Sequence, residues 1–188
     1  MKKIVLALVS CLFVISIAGC SSDNKDTASN KSDSKSSSST VSDNSYLDYI
    51  NKIEVGDSLD QINEVIGSDG EVHSDNATYS WDIGNGGFVA VFRKDDTSSA
   101  LSVEVSYDKK DVENKKVKIK DLDGLKSKVK EGISYDDFKE NLGGVDGVLV
   151  SKGSVTKSYV WRSPDGSVVD AAFRLDDNMC NSFTGTER

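Results

Sequence analysis

Histidine occurs once in this chain, at His73, and cysteine three times, at Cys11, Cys20 and Cys180. One imidazole supports at most one histidine-based catalytic centre, and no motif sets a nucleophile beside it. His73 therefore reads as an ordinary strand or loop residue. Neither H-E-x-x-H nor C-x-x-C occurs, so the spacings that build zinc sites are missing. Asp121-Leu-Asp-Gly124 opens like a calcium loop and lacks the rest, and Asp176-Asp177-Asn178 reads as a hairpin turn. Acidic residues are plentiful, but nothing selects two of them as a glycosidase pair. These absences lead to three expectations: no enzymatic activity, no cofactor and no metal.

Positive charge is also scarce. Twenty-three basic residues face 31 acidic ones, for a formal net charge of −8. Nucleic-acid binding rests on neutralising phosphates with Lys and Arg, so that partner class is excluded. The acidic balance favours solubility instead.

The chain has one long apolar run, Ile4 to Ile15, interrupted only by Ser10 and preceded by Lys2 and Lys3. A bilayer span needs about 20 apolar residues, so this is the layout of a secretory leader. It ends in Ile17-Ala18-Gly19-Cys20, with small residues ahead of the cysteine, and this resembles the lipobox of bacterial lipoproteins. The resemblance implies removal of residues 1–19, a thioether-linked diacylglycerol on Cys20, and a further acyl chain such as palmitate on the new amino terminus. It also implies a cell-membrane location facing away from the cytoplasm, on the extracellular surface if the cell is Gram-positive. With Cys11 lost and Cys20 lipidated, Cys180 stands alone and no intramolecular disulfide forms. It reads as a small buried strand residue, with a reactive thiol as the alternative.

Residues 20–45 carry the next deficit, in apolar side chains. Eleven serines with interspersed Lys, Asp and Asn leave only Ala28 and Val41 after the lipidated cysteine. Such a segment buries too little apolar surface to order itself, and as a flexible coil it spans roughly 25–30 Å. It is a linker.

Beyond Tyr46 the chain repeats itself. Gly56-Asp-Ser-Leu-Asp-Gln-Ile-Asn-Glu-Val-Ile-Gly67 recurs as Gly132-Ile-Ser-Tyr-Asp-Asp-Phe-Lys-Glu-Asn-Leu-Gly143, Tyr79-Ser-Trp81 as Tyr159-Val-Trp161, and Phe92-Arg93 as Phe173-Arg174. The two copies are 46–110 and 111–188. Each opens with a helical face, Tyr46, Tyr49, Ile50 and Ile53 in the first and Leu122, Leu125 and Val129 in the second. A second helix follows, with Ser58 and Gln61 spaced as a capping box, Ser134 and Asp137 as a weaker one, and Gly67 and Gly143 as stops. The period then becomes two: Ala77, Tyr79, Trp81 and Ile83; Phe88, Ala90 and Phe92; Leu101, Val103, Val105 and Tyr107, each alternating with a wetter parity that includes Ser102, Glu104 and Ser106. Asn85-Gly86-Gly87 and Pro164-Asp165-Gly166 supply hairpin turns. The expected fold is α+β: in each copy, two short helices cover one face of a three- or four-stranded antiparallel sheet.

The Gly-x-Ser helix signature with its second glycine, present twice, resembles the β-lactamase inhibitor protein family. It is also similar to the single-copy outer-membrane lipoprotein family of BamE (SmpA/OmlA) and to small Gram-positive lipoproteins built on the same module. The resemblance implies ligand binding on the concave sheet face away from the helices. If Phe92 and Phe173 are core anchors, that parity carries Val89, Val91 and Arg93 in the first copy and Asp170, Ala172 and Arg174 in the second, with Ser80, Asp82, Val160 and Arg162 beside them. The inhibitors place aromatic residues there and carry disulfides, both absent here, so the fold carries over and the β-lactamase target does not. Tyr79, Trp81, Tyr159 and Trp161 read as core. The function expected is a lipid-anchored, non-catalytic protein-binding module for an envelope or extracellular protein. Its alternatives are inhibition of a secreted or wall-associated hydrolase and a structural role in envelope assembly.

Overall fold

A computed structural model describes residues 45–188; the leader, Cys20 and nearly all of the linker lie outside the described residues. The first half contains α1 (Ser45–Lys52), α2 (Leu59–Ile66), β1 (Glu71–Val72), β2 (Thr78–Ile83), β3 (Gly86–Val91) and β4 (Ser102–Ser106). The second contains α3 (Leu122–Glu131), α4 (Tyr135–Glu140), β5 (Val148–Gly153), β6 (Thr156–Arg162), β7 (Val168–Arg174) and β8 (Cys180–Thr186). All eight strands form one open antiparallel sheet in chain order, so the fold is α+β with four helices on a single meander among the described residues.

Helix ends follow from local chemistry. The Ser58 hydroxyl accepts the Gln61 N–H at 3.3 Å, and the Gln61 side-chain carbonyl accepts the Ser58 N–H at 2.9 Å. This reciprocal capping box starts α2. Gly67 ends it at φ 84 with its N–H on the Asn63 carbonyl, a left-handed conformation that glycine adopts without a Cβ penalty. Ser134 caps α4 by accepting the Asp137 N–H at 3.1 Å, and Asp121, the apparent start of a calcium loop, caps α3 through Gly124 N–H at 2.8 Å. Among the described residues no group of three or more His, Cys, Asp or Glu is placed to hold a metal ion.

One hairpin differs from expectation. The β2–β3 loop is Gly84-Asn85, one residue earlier than Asn85-Gly86-Gly87, because Ile83 pairs with Gly86 and both Gly86 and Gly87 belong to β3. Gly84 takes φ 60, the positive angle that a type II′ turn demands of its first loop residue.

The sheet register assigns its two faces. Tyr79, Ala90, Val103, Lys152, Lys157 and Phe173 follow one another as cross-strand partners from β2 to β7 on the helix-covered face. Above them Tyr46, Ile50, Ile53 and Ile62 bury Trp81, Phe88, Phe92 and Val105 in the first half. Leu125, Ile133, Phe138 and Leu142 bury Trp161, Val169, Ala171 and Phe173 in the second. Cys180 joins that second core at 6 % exposure, and burial pushes its thiol up to about 11, which makes it an inert packing residue at neutral pH.

The tryptophans are core residues and share one arrangement. Trp81 donates its indole N–H to the Ser68 carbonyl and the Asn63 side chain, each at 3.1 Å, while Trp161 donates to the Val145 carbonyl at 2.9 Å. Two residues after each of those carbonyls stands a glycine pressed against the ring. A Cβ on Gly70 would lie 2.5 Å from Trp81 Cζ2, and one on Gly147 would lie 2.7 Å from Trp161 Cε2.

The halves are joined by more than strand pairing. Lys152 on β5 is 3 % exposed and donates to the Ile53 carbonyl at 2.9 Å and to Glu54 at 2.7 Å, tying the second half's first strand to the end of α1. The connector between β4 and α3 is pinned at both ends. Asp108 N–H donates to the Tyr46 hydroxyl at 3.1 Å, Asn114 N–H to the Arg162 carbonyl at 2.9 Å, and Lys118 N–H to the Leu142 carbonyl at 2.9 Å.

Candidate docking face

On the face away from the helices, one rung crosses all eight strands: Glu71, Ser80, Val89, Glu104, Ser151, Ser158, Ala172 and Ser182 are successive cross-strand partners. Four of the eight are serines, which set hydroxyls along this line beside the carboxylates of Glu71 and Glu104. Alternation alone places them there, since a residue's neighbours in the strand point to the buried side.

Most of the residues expected on this face are on it, in two groups. Ser80, Asp82, Val89 and Val91 lie over β2 and β3, where Ser80 pairs with Val89 and Asp82 with Gly87. Arg162, Asp170 and Ala172 lie over β6 and β7. Between the groups run Ser102 and Glu104 of β4 and Ser151 of β5, which the sequence reasoning left out of the site although Ser102 and Glu104 carried the wetter parity.

Three expectations need correction. Val160 has the parity of the open face and is nonetheless 1 % exposed, because the connector crosses this end of the sheet and Val112, Tyr107, Val148 and Val168 enclose Val160 in one apolar cluster. Arg174 is not an uncommitted cation: its guanidinium is held by both carboxylate oxygens of Asp177, with Nε to Oδ1 at 3.0 Å, inside the β7–β8 hairpin. Arg93 falls beyond the end of β3, where its backbone carbonyl accepts the Asp96 N–H at 3.1 Å in the following turn.

A cleft of about 530 Å³ opens on this face between the β2–β3 hairpin and Tyr107, with Ser80, Asp82, Gly87, Val89 and Ser106 among its lining residues. The Ser80 hydroxyl shares a hydrogen bond of 2.9 Å with His73 Nε2. Across the seam, the Tyr107 hydroxyl donates to Asp170 at 3.4 Å. Burial, reinforced by the nearby Asp170 charge, raises the Tyr107 pKa, so the phenol stays protonated and donates.

The two carboxyls of the seam are both shifted upward. Desolvation by the surrounding sheet raises Glu104, and it raises Asp170 against the opposing hydrogen bond from Tyr107. A carboxyl whose folded pKa lies above its unfolded value disfavours folding once it ionises, so the penalty is full above the folded pKa and vanishes below the unfolded one. The isosteric Asp170→Asn variant is therefore expected to melt higher than wild type at pH 7, with the difference fading as the pH falls through the raised value, whereas Glu104 is exposed and solvent screens its penalty, so Glu104→Gln is expected to change little. Thermal melts from pH 7 to pH 3 check this; an Asp170→Asn protein no more stable at pH 7 would mean that this carboxyl is not desolvated.

No protein-family model and no curated protein matches this chain.

Proposed function

We propose that this is a lipid-anchored, non-catalytic cell-envelope protein that holds a protein partner against its open sheet face. The observation that carries the reading is the segregation of layers: both helix pairs pack on one side of the continuous eight-stranded sheet, and the other side carries a rung of eight residues, half of them serines, with no helix over it among the described residues. A sheet face that is half-buried and only partly roofed by a connector offers area and shape for another protein.

The same helix–helix–four-strand order in both halves, and the matched tryptophan–glycine contacts, support a duplicated module like that of the β-lactamase inhibitor and BamE-type families. The lipobox supplies the anchor and residues 20–45 the tether.

The test is retention of envelope and culture-supernatant proteins by the full chain in detergent, beside the Ser151→Arg/Ser158→Arg variant. These serines pair in the middle of the face, where long charged side chains obstruct a docked surface without entering the core. A partner retained by wild type and reduced at least about tenfold by the variant, the loss typical of a central contact, supports docking. Identical sets from both proteins would rule this face out.

A further inference from the structure

A second cleft, of about 550 Å³, lies on the opposite side of the sheet between the helix layers of the two halves. Its floor holds Lys152 and Lys157, cross-strand partners on β5 and β6, together with Tyr159. Asp48 and Glu54 rise on the α1 side and Asp146 on the other.

The occupancy of these groups by one another is uneven. The Lys152 side chain is 4 % exposed and its ammonium donates to the Ile53 carbonyl and Glu54. An ammonium has three protons, so one is left. Asp146 is engaged by Lys139 at 3.2 Å. Lys157 and Asp48 form no ion pair, and the Tyr159 hydroxyl no hydrogen bond, among the described residues. Burial raises the Tyr159 pKa, which keeps its hydroxyl a donor at neutral pH.

Glu54 is paired with Lys152 and Asp146 with Lys139, which leaves one cation, Lys157, and one anion, Asp48, without an ion pair in the cleft among the described residues. Asp48, Glu54 and Asp146 above it would repel a polyanion such as a phosphate chain, while a single carboxylate is accepted. An ammonium or N–H elsewhere on the same ligand would meet Asp48. The cleft also joins both halves and falls within the roughly 300–1,000 Å³ of small-ligand sites.

We propose that this cleft binds the α-carboxylate of an amino acid or of a short peptide's carboxyl end, with the carboxylate on Lys157 Nζ and the Tyr159 hydroxyl and the ligand's nitrogen toward Asp48. The site is independent of the docking face, which lies across the sheet.

Calorimetric titration of the full chain in detergent uses L-alanine, L-alanyl-L-alanine and L-alanyl-L-alanine amide as probes, up to about 10 mM, which reads dissociation constants into the millimolar range. At least one carboxylate probe is expected to bind, the amide at least about tenfold more weakly than its acid, and Lys157→Gln is expected to lose at least about tenfold, as removal of a charge-assisted bond requires. Tyr159→Phe, which keeps the packed ring, is expected to weaken binding less. Binding of the dipeptide alone assigns the site to chain ends; equal binding of alanine assigns it to free amino acids. The proposal is overturned if neither carboxylate binds, if the amide binds as well as the acid, or if a Lys157→Gln protein with unchanged melting temperature binds as tightly as wild type.

Discussion

Trp161→Ala is expected to remove much of the stability of the described fold, about 3–5 kcal/mol for truncating a buried tryptophan out of a total on the order of 5–15 kcal/mol for a domain. The indole is 1 % exposed and touches Phe138, Phe173, Tyr135 and Tyr159 by ring contacts of 5.4, 6.3, 5.9 and 6.1 Å. Removing it empties a space that four rings surround and leaves the Val145 carbonyl without its donor. Urea unfolding should show a lower midpoint at unchanged slope. Gly147→Ala attacks the same contact from the other side, pushing a methyl into the ring at about 1–3 kcal/mol. Because the alanine methyl can occupy space the indole vacates, the double variant should cost less than the sum of the two, a coupling expected for touching residues. Val155→Ala, at a site 69 % exposed, should change almost nothing. A Trp161→Ala protein within 1 kcal/mol of wild type would mean that the aromatic core does not pack as described.

What could be read in the sequence, and what could not, divides by range. Ser58 with Gln61, Ser134 with Asp137, and Gly67 act within one helical turn, so their spacing announced them. Strand parity was legible for the same reason: Trp81, Phe88 and Val105 alternate with wetter neighbours and all face the core. Even the misplaced hairpin was a near miss, since three glycines around Asn85 offer several turn positions and only the Ile83–Gly86 pairing selects one. The illegible features are contacts across long separations. Val160 looks exposed by parity and is buried because the connector from β4 returns over it. Nothing local to Lys152 marks it, yet its ammonium reaches a carbonyl 99 residues earlier in the chain. Gly70 and Gly147 carry no local signal of the rings against them.

These long-range contacts also reshape the candidate site. Parity places Arg93 and Arg174 on the open face, but Arg174 is tied to Asp177 within its own hairpin, a pairing at i,i+3 that lies within reach of local sequence. With that cation engaged, the middle of the open face is marked by Glu104, Tyr107 and Asp170 instead. A partner docked there would meet the partly buried carboxyl of Asp170 beside the exposed one of Glu104, and one that brings a cation would form a charge-assisted bond with them.

Cys20→Ala is expected to abolish fatty-acid labelling and to shift the protein from the detergent phase to the aqueous phase on phase partition. The physical argument is one of chain number. Each buried methylene contributes about 0.8 kcal/mol, a single acyl chain binds marginally, and two or more give a stable anchor. Without the cysteine there is no thioether and no diacylglycerol, and the apolar run Ile4–Ile15 is shorter than the roughly 20 residues needed to span a bilayer. Electrostatics offers no substitute, because a chain of net charge −8 is repelled by an anionic lipid surface. Among the described residues no helix is long and apolar enough to cross a membrane. Wild-type association should therefore resist a high-salt wash, since acyl burial is not screened. A Cys20→Ala protein that stays with membranes and is released by salt would place retention in contacts with another envelope protein, whereas unchanged labelling would put the lipid on a residue other than Cys20.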